Sequence, residues 1–360
     1  HVGYRTGTRG IDWDSFDPAF APFVEMLSMH GCSEASENTR PFLHSMGPSD
    51  WESTIACGLE NGHIFGFSGG TDHHSGHPGS YGHGRTAVWA ENGTREVIWE
   101  ALYARRMVAL TGDRIDLKFS INGEPMGSVI PASAKREIEI DVGAGGAIDC
   151  VDVIRNGTFL KRFSQTDIEP IEEQSDLVQT KIYLELGWGA KHRSTEWNVE
   201  FGVEGGRIIN VEPRFRGLEV VSPAERDSEA GESFYRSKVH EKTERSVKFE
   251  TVSNGNATNS TSATQGMCIE VEMPRGGKVF AVMNGIRAEH SLSDLMHGAR
   301  SGSLDHTDAP SWRFNRAPKP EELNWSFSFD DEGEIEDGFY YVRVRQTNDQ
   351  WAWSSPVFLR

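Results

Sequence analysis

From residue 114 to residue 360 the sequence is dominated by short runs of alternating apolar and polar residues. Asn122-Gly123 and Asn156-Gly157 each stand between two such runs. Asn-Gly in this setting is a strong hairpin signal, because both residues tolerate a positive φ. Helical periodicity is nearly absent here. We therefore predict an all-β sandwich region, with enough strands for two sandwiches.

The predicted strands of this region share the alternating pattern and are bounded by turn residues. Beyond the two hairpins they are expected at 137–142, 181–186, 197–203, 207–211, 246–252, 267–273, 279–283 and 339–345. Residues 253–265 are polar and of low complexity, so we expect a mobile loop there.

Residues 1–113 have a different rhythm, in which strands and helices alternate. Apolar runs predict strands at 23–28, 63–68 and 86–89. A capping-box spacing of Ser49 and Glu52 predicts the start of one helix. Thr94 is expected to cap a second helix over 95–106, whose apolar residues fall on one face. This alternation is typical of an α/β domain with parallel strands, and we predict a domain boundary between residues 113 and 114.

The charge of the chain limits its partners. Its 36 basic and 54 acidic residues give a net charge of −18. Nucleic acids and anionic membrane surfaces attract clustered Lys and Arg, so neither is expected as a partner. The acidic, Trp-rich second half is consistent with a periplasmic or secreted protein. Composition leaves the oligomeric state open.

A histidine-rich segment carries the main chemical signal. Five of the 13 histidines lie within residues 63–83, and Asp72 and His74 follow a predicted strand that ends in two glycines. Two extended residues at this D-x-H spacing point to the same side of the chain. Carboxylate plus imidazole suits Zn, Mn or Fe, so we predict a divalent metal site at Asp72 and His74. A solvated loop is the simpler alternative.

Asp72-His73-His74 also spells the D-H-H triplet of another phosphoesterase superfamily. That superfamily requires further aspartate motifs upstream, and residues 1–71 contain none that we recognise. We therefore treat it as a minor alternative.

Several segments, in order, resemble the DUF3604 family, which is related to the polymerase-and-histidinol-phosphatase (PHP) group of metal-dependent phosphoesterases. They are HVGY (1–4), FVEMLSMHGCSE (23–34), GFSGGTDHHSGHPG (66–79), RRMVALTGDRI (105–115) and QWAWSSP (350–356). The region 160–330 resembles the family only in general character. The motifs cover the two ends of the chain and its first third.

The resemblance implies a distorted barrel of parallel strands with up to three metal ions. Asp72 and His74 match the last ligand motif of the family, and His1 matches a histidine that precedes it. The family's opening H-x-H pair, a following His or Asp, and a Glu should all precede His1. We therefore expect a partial PHP-like barrel that carries only the C-terminal ligands. Such a chain is expected to bind at most one metal ion weakly and to have little activity.

Four further residues are candidates for substrate binding. His30 and Glu34 follow the strand at 23–28, although either could instead hold the following turn. His77 and Arg85 follow the metal loop. The guanidinium of Arg85 can bind a phosphate or sulfate group through two hydrogen bonds, and a surface ion pair is the alternative.

These features predict a metal-dependent hydrolase, most simply a phosphoesterase acting on a small-molecule or polymeric ester. The second hypothesis is a non-catalytic β-sandwich module that binds a polysaccharide or a protein partner, attached to a degenerate barrel remnant. Extending the chain upstream of His1 distinguishes them, because an H-x-H strand there would support the enzyme.

Overall fold

The computed structural model describes residues 2–42, 47–72, 79–168, 176–191, 193–217, 237–255 and 263–360. Half of the structure (50%) is β-strand and 11% is helix, and several of the sheets are antiparallel. The predicted α/β class, with a partial barrel of parallel strands, is therefore wrong. The protein is mostly β.

The chain forms two compact units. The first comprises residues 1–73, 82–169 and 324–360, and the second comprises residues 74–81 and 170–323. The predicted boundary between residues 113 and 114 falls within the first unit.

A small three-stranded sheet lies in the first unit. It contains β1 (Phe23–Ser28), β2 (Gly31–Cys32) and β3 (Gly66–Gly69), in the order β2-β1-β3. β1 and β3 are parallel, and β1 and β2 are antiparallel. The sequence predicted the first strand and its parallel partner, but the partner begins at Gly66 and not at His63.

Two larger sheets complete the first unit. The eight-stranded sheet contains β4 (Arg85–Val88), β5 (Met107–Leu110), β8 (Val129–Ile130), β10 (Ile148–Arg155), β11 (Thr158–Ser164), β23 (Gly338–Gln346), β24 (Trp351–Ser354) and β25 (Val357–Leu359). Its main path runs β11-β10-β23-β24-β5-β4. The four-stranded sheet, in the order β22-β9-β6-β7, contains β6 (Asp116–Ile121), β7 (Glu124–Pro125), β9 (Lys135–Gly143) and β22 (Asn324–Glu332).

The strand–helix–strand rhythm misled the sequence-based prediction at β4 and β5. The helix between them, α2 (Arg95–Tyr103), begins where the Thr94 cap predicts. However, β4 and β5 are antiparallel neighbours, with Thr86 opposite Ala109. The helix therefore serves as a reversing connection and not as the crossover that parallel strands require.

The eight-stranded sheet is buried on both faces. Along β23, Tyr340, Val342 and Val344 enter one apolar core with residues of the four-stranded sheet. Phe339 and Tyr341 enter a second core with residues of the small sheet. This alternation follows from the two-residue period of a strand.

The second unit is a sandwich of two five-stranded sheets around one apolar core. One sheet runs β14 (Arg207–Arg214), β17 (Gln265–Pro274), β12 (Leu177–Trp188), β21 (Pro310–Phe314), β20 (Arg300–Ser303). The other runs β15 (Lys238–Lys242), β16 (Ser246–Asn254), β13 (Ser194–Glu204), β18 (Lys278–Met283), β19 (Ile286–Ser291). The centre of the predicted mobile loop, 256–262, lies outside the described residues, and its two ends belong to β16 and β17.

The remaining helices in the described ranges are short. They are α1 (Ile55–Glu60), α3 (Leu292–His297), α4 (Pro320–Leu323) and the 3-10 turns Trp13–Ser15, Trp51–Ser53 and Gln165–Asp167. The predicted helix start at Ser49 is wrong. Thr54 caps α1 by accepting a hydrogen bond from the Cys57 amide, and Ser49 donates to the Ser36 carbonyl instead. None of the helices in the described ranges combines the length and apolar character needed to cross a membrane.

Candidate functional site

The parallel pairing of β1 and β3 brings two predicted site residues together. The carboxyl ends of parallel strands meet at one edge, and His30 follows β1 while Asp72 follows β3. The backbones stay paired beyond the strands, because the Gly70 amide donates to the Leu27 carbonyl and the Met29 amide donates to the Thr71 carbonyl. The two side chains are therefore held on neighbouring segments.

The imidazole of His30 contacts the carboxylate of Asp72. Nε2 and Oδ2 are 3.0 Å apart, and the side chains are only 8% and 21% exposed. Asp72 has a φ of 50°, in the left-handed region that Asp and Asn enter more readily than most residues. The chain thus adopts a strained conformation where it presents this carboxylate, as is common at functional sites.

Tyr4 packs beside this pair. Its side chain is buried, and its ring centroid lies 4.6 Å from that of Phe42 and 6.4 Å from that of His30. Burial, followed by the negative charges of Asp72 and Glu25, raises the pKa of Tyr4 to about 12. Its hydroxyl therefore keeps its proton at neutral pH.

Glu25 adds a second carboxyl group. It lies in the middle of β1 and is half-buried. Burial raises the pKa of Glu25 to about 7; a hydrogen bond with Ser28 opposes this rise and the charge of Asp72 adds to it. Two carboxyl groups therefore interact within one enclosed region.

The donor atoms of this cluster partly fit a divalent metal. Two ligand atoms about 2.1 Å from one ion, at a right angle to each other, are about 3.0 Å apart, which is the separation of the His30 and Asp72 atoms. Within the described ranges, however, no group of three or more His, Cys, Asp or Glu side chains is arranged to hold a metal. The predicted ligands His1 and His74, and the predicted substrate residue His77, lie outside those ranges. The predicted convergence of Asp72 and His74 therefore stays a prediction.

Glu34 lies in a different environment from His30. It is 7% exposed, accepts hydrogen bonds from the Tyr341 hydroxyl (2.8 Å) and the Trp353 indole (3.0 Å), and pairs with Arg343 (3.2 Å). Arg343 in turn contacts the buried carboxylate of Asp152. These contacts indicate that Glu34 joins its segment to β23 and β24, a structural role that differs from the predicted alternative of holding the following turn. Its substrate role stays a prediction.

Arg85 begins β4, close to the end of β3. A Cβ atom on Gly69 would overlap the carbonyl oxygen of Arg85, and one on Gly84 would overlap the carbonyl oxygen of Gly70. Glycine at both positions lets the two segments pass in contact, which places the Arg85 backbone near the segment that leads to Asp72. The predicted phosphate-binding role of its side chain stays a prediction.

The sequence analysis missed Glu25 and Tyr4. Glu25 had a recognisable signal, since it is a lone carboxylate in the apolar run FVEMLS. Tyr4 lies in the segment HVGY (1–4), in which only His1 was considered as a candidate site residue.

Comparison with known proteins identifies relatives without assigning an activity. The model of the family "Protein of unknown function (DUF3604)" matches residues 80–125. An uncharacterized protein of Chlamydia muridarum is 33% identical over 171 residues, which are 43% of this chain and 28% of that protein. One from Chlamydia pneumoniae is 32% identical over 185 residues, 47% of this chain and 30% of that protein. The chain thus matches less than a third of the length of these relatives.

The similarity to solved structures is too low to support an inference about the fold. The crystal structure of BcpA, the major pilin subunit of Bacillus cereus, matches with a TM-score of 0.11 and 9% identity, covering 69% of this chain and 66% of that one.

Proposed function

We propose that the protein is a metal-dependent hydrolase of phosphate esters, and that Asp72 and His30 contribute to the metal site. The observation that carries the proposal is their contact at the carboxyl ends of two parallel strands. The resemblance to DUF3604, and through it to PHP-type phosphoesterases, suggests the reaction class.

The donor types suit this role. One carboxylate and one imidazole form a mixed oxygen and nitrogen set that binds Zn, Mn or Fe. When bound, such an ion would activate water and neutralise negative charge on the ester. Further ligands are proposed to be His1 and His74.

The chain's own residues supply orientation. The paired ends of β1 and β3 hold the His30 imidazole and the Asp72 carboxylate side by side, so that both could bind one ion. The buried Tyr4 packs near His30, with their ring centroids 6.4 Å apart, and limits the space around the imidazole. Glu25 provides the second carboxyl group on the same strand pair and adds negative charge that would attract a cation.

Metal binding by the full chain tests the proposal. Asp72→Asn and His30→Gln remove one ligand each while keeping side-chain size, and we expect each to weaken Mn²⁺ or Zn²⁺ binding in calorimetry by ten-fold or more. The matched control is the exposed pair Asp305 and His306, whose atoms lie 3.6 Å apart. Asp305→Asn with His306→Gln should leave binding unchanged.

Hydrolysis is tested separately with a generic aryl phosphate. We expect metal-dependent turnover that Asp72→Asn and His30→Gln reduce, and no such reduction with Asp305→Asn and His306→Gln. If Asp72→Asn and His30→Gln bind metal as well as the unaltered protein, the proposed site is wrong. Polysaccharide or protein binding without metal would then favour the β-sandwich binding module.

A further inference from the structure

A second possible ligand site lies in the first unit, on the four-stranded sheet. A cavity of about 340 Å³ is bordered by Trp89, Pro125 and Met126 together with outward-facing residues of β6 and β9. This volume falls in the range of small-molecule sites. The outward-facing residues include Lys118, Glu139 and Asp141, so the cavity combines an apolar surface with a charged rim.

Two oppositely charged residues of this rim face each other in the sheet without pairing. Lys118 on β6 is directly opposite Asp141 on β9. Side chains in such positions start about 5 Å apart, which is close enough for an ion pair. Instead, the Lys118 ammonium lies 5.0 Å from the centre of the Trp89 ring, and Asp141 accepts a hydrogen bond of 2.7 Å from Ser326.

The remaining charged residues of the rim limit which ligands the cavity can bind. Glu139 lies on the same face of β9 as Asp141 and accepts a hydrogen bond of 3.0 Å from Ser120. Arg106 is bound to Glu100, so its charge is already compensated. The rim therefore offers one cation, Lys118, and two carboxylates beside an apolar surface.

We propose that this cavity binds a small zwitterion that also carries an apolar group. The simplest example is an α-amino acid with an apolar side chain. Its carboxylate binds Lys118, its ammonium group binds Asp141 and Glu139, and its side chain packs on Trp89 and Met126. A simple anion is repelled by the two carboxylates, and an uncharged apolar molecule brings no opposite charge to any of the three charged groups.

Four probes that share one ring separate these contributions. L-Phenylalanine carries both charges, 3-phenylpropionate only the carboxylate, phenethylamine only the ammonium group, and N-acetylphenylalaninamide neither. Their binding to the full chain is measured by calorimetry. We expect L-phenylalanine to bind at least ten-fold more tightly than each of the others.

Substitutions then assign each contact. Lys118→Met should weaken L-phenylalanine binding about ten-fold and leave phenethylamine binding unchanged, and Asp141→Asn should have its main effect on the ammonium-bearing probes. Lys135→Met is the control, because Lys135 lies on the same sheet and pairs with Asp330. Both Lys118 and Lys135 are exposed, so neither change should impair folding.

Two results would overturn the assignment. One is the absence of saturable binding of L-phenylalanine at millimolar concentration. The other is equal binding of all four probes, or equal effects of Lys118→Met and Lys135→Met, since the charges would then not select the ligand.

Discussion

Two pairs of carboxyl groups in the first unit show how different surroundings give similar side chains different properties. Asp152 and Glu34 are both buried and share Arg343. Burial by itself would raise the pKa of Asp152, but hydrogen bonds from Arg162 and Arg343 outweigh it and lower the pKa. At Glu25 burial instead prevails and raises the pKa to about 7, and the negative charge of Asp72 adds to this rise.

The comparison separates a structural cluster from a candidate site. Carboxylates that pair with arginine hold segments together, as Glu34 does between the segment that follows β2 and β23. Carboxyl groups that repel each other inside a fold lower its stability, and such arrangements are concentrated at functional sites.

The largest expected effect comes from removing the shared arginine. Arg343→Met leaves Glu34 and Asp152 without their common cation, so we expect a loss of about 4 kcal/mol in the free energy of unfolding at pH 8. Urea unfolding measures it. The control is Arg345→Met, two residues further on the same strand and more exposed, for which the loss should be below about 1 kcal/mol. Equal losses would contradict the role of Arg343.

An intermediate effect is expected at Glu25. Its carboxyl group has a higher pKa in the folded than in the unfolded protein, about 7 against 4.5, so the folded state binds more protons between these values. The contribution of this carboxyl group to stability should therefore be greatest below pH 4.5 and should fall as the pH rises from 4.5 to about 7. Glu25→Gln should remove this fall and add about 3 kcal/mol at pH 8, with little change at pH 4.

The measurement is urea unfolding of both proteins across this pH range in the presence of a chelator. A Glu25→Gln protein that is less stable than the unaltered one at pH 8 would show that the charged carboxylate is well accommodated.

The smallest effect concerns the coupling of Glu25 to Asp72. Because the charge of Asp72 raises the pKa of Glu25, Asp72→Asn should lower that pKa. The upper end of the pH range over which stability falls should therefore move down, while its lower end, which the unfolded protein sets, should stay the same. The control is Asp305→Asn, whose exposed carboxylate should leave this pH unchanged. An upward shift with Asp72→Asn would contradict the coupling.

Local parts of the fold could be predicted from the sequence. The Asn122-Gly123 and Asn156-Gly157 turns were correctly identified, and all four residues have positive φ. β1 has the bounds that its apolar run predicted. In these cases a few neighbouring residues determine the backbone.

Long-range pairing could not be predicted in the same way. The pairing of β5 with β24 joins residues that are about 240 positions apart, and nothing in the two strands specifies the partner. The alternation of strand and helix at β4 and β5 is compatible with either direction of pairing, so the inferred parallel barrel was wrong.

The candidate site was partly accessible to sequence analysis. Asp72 and His30 were both selected, but for separate roles, because their contact depends on the parallel register of β1 and β3. Glu25 was overlooked because a lone carboxylate in an apolar strand is recognisable in the sequence but does not indicate which residues surround it. Its environment, and not its position in the sequence, changes its acidity.

The central position of β23 and β24 has a consequence for synthesis on the ribosome. These strands lie between β10 and β5 in the eight-stranded sheet, although they are made after the entire second unit. Until residues 338–354 emerge, β10 and β11 form one antiparallel pair and β4 and β5 form another. The edges of β10 and β5 that later pair with β23 and β24 are unpaired. The strands of the second unit are all synthesised by then, so this unit can fold first. The first unit exposes the unpaired strand edges of its large sheet until β23 and β24 are synthesised, and such edges promote aggregation.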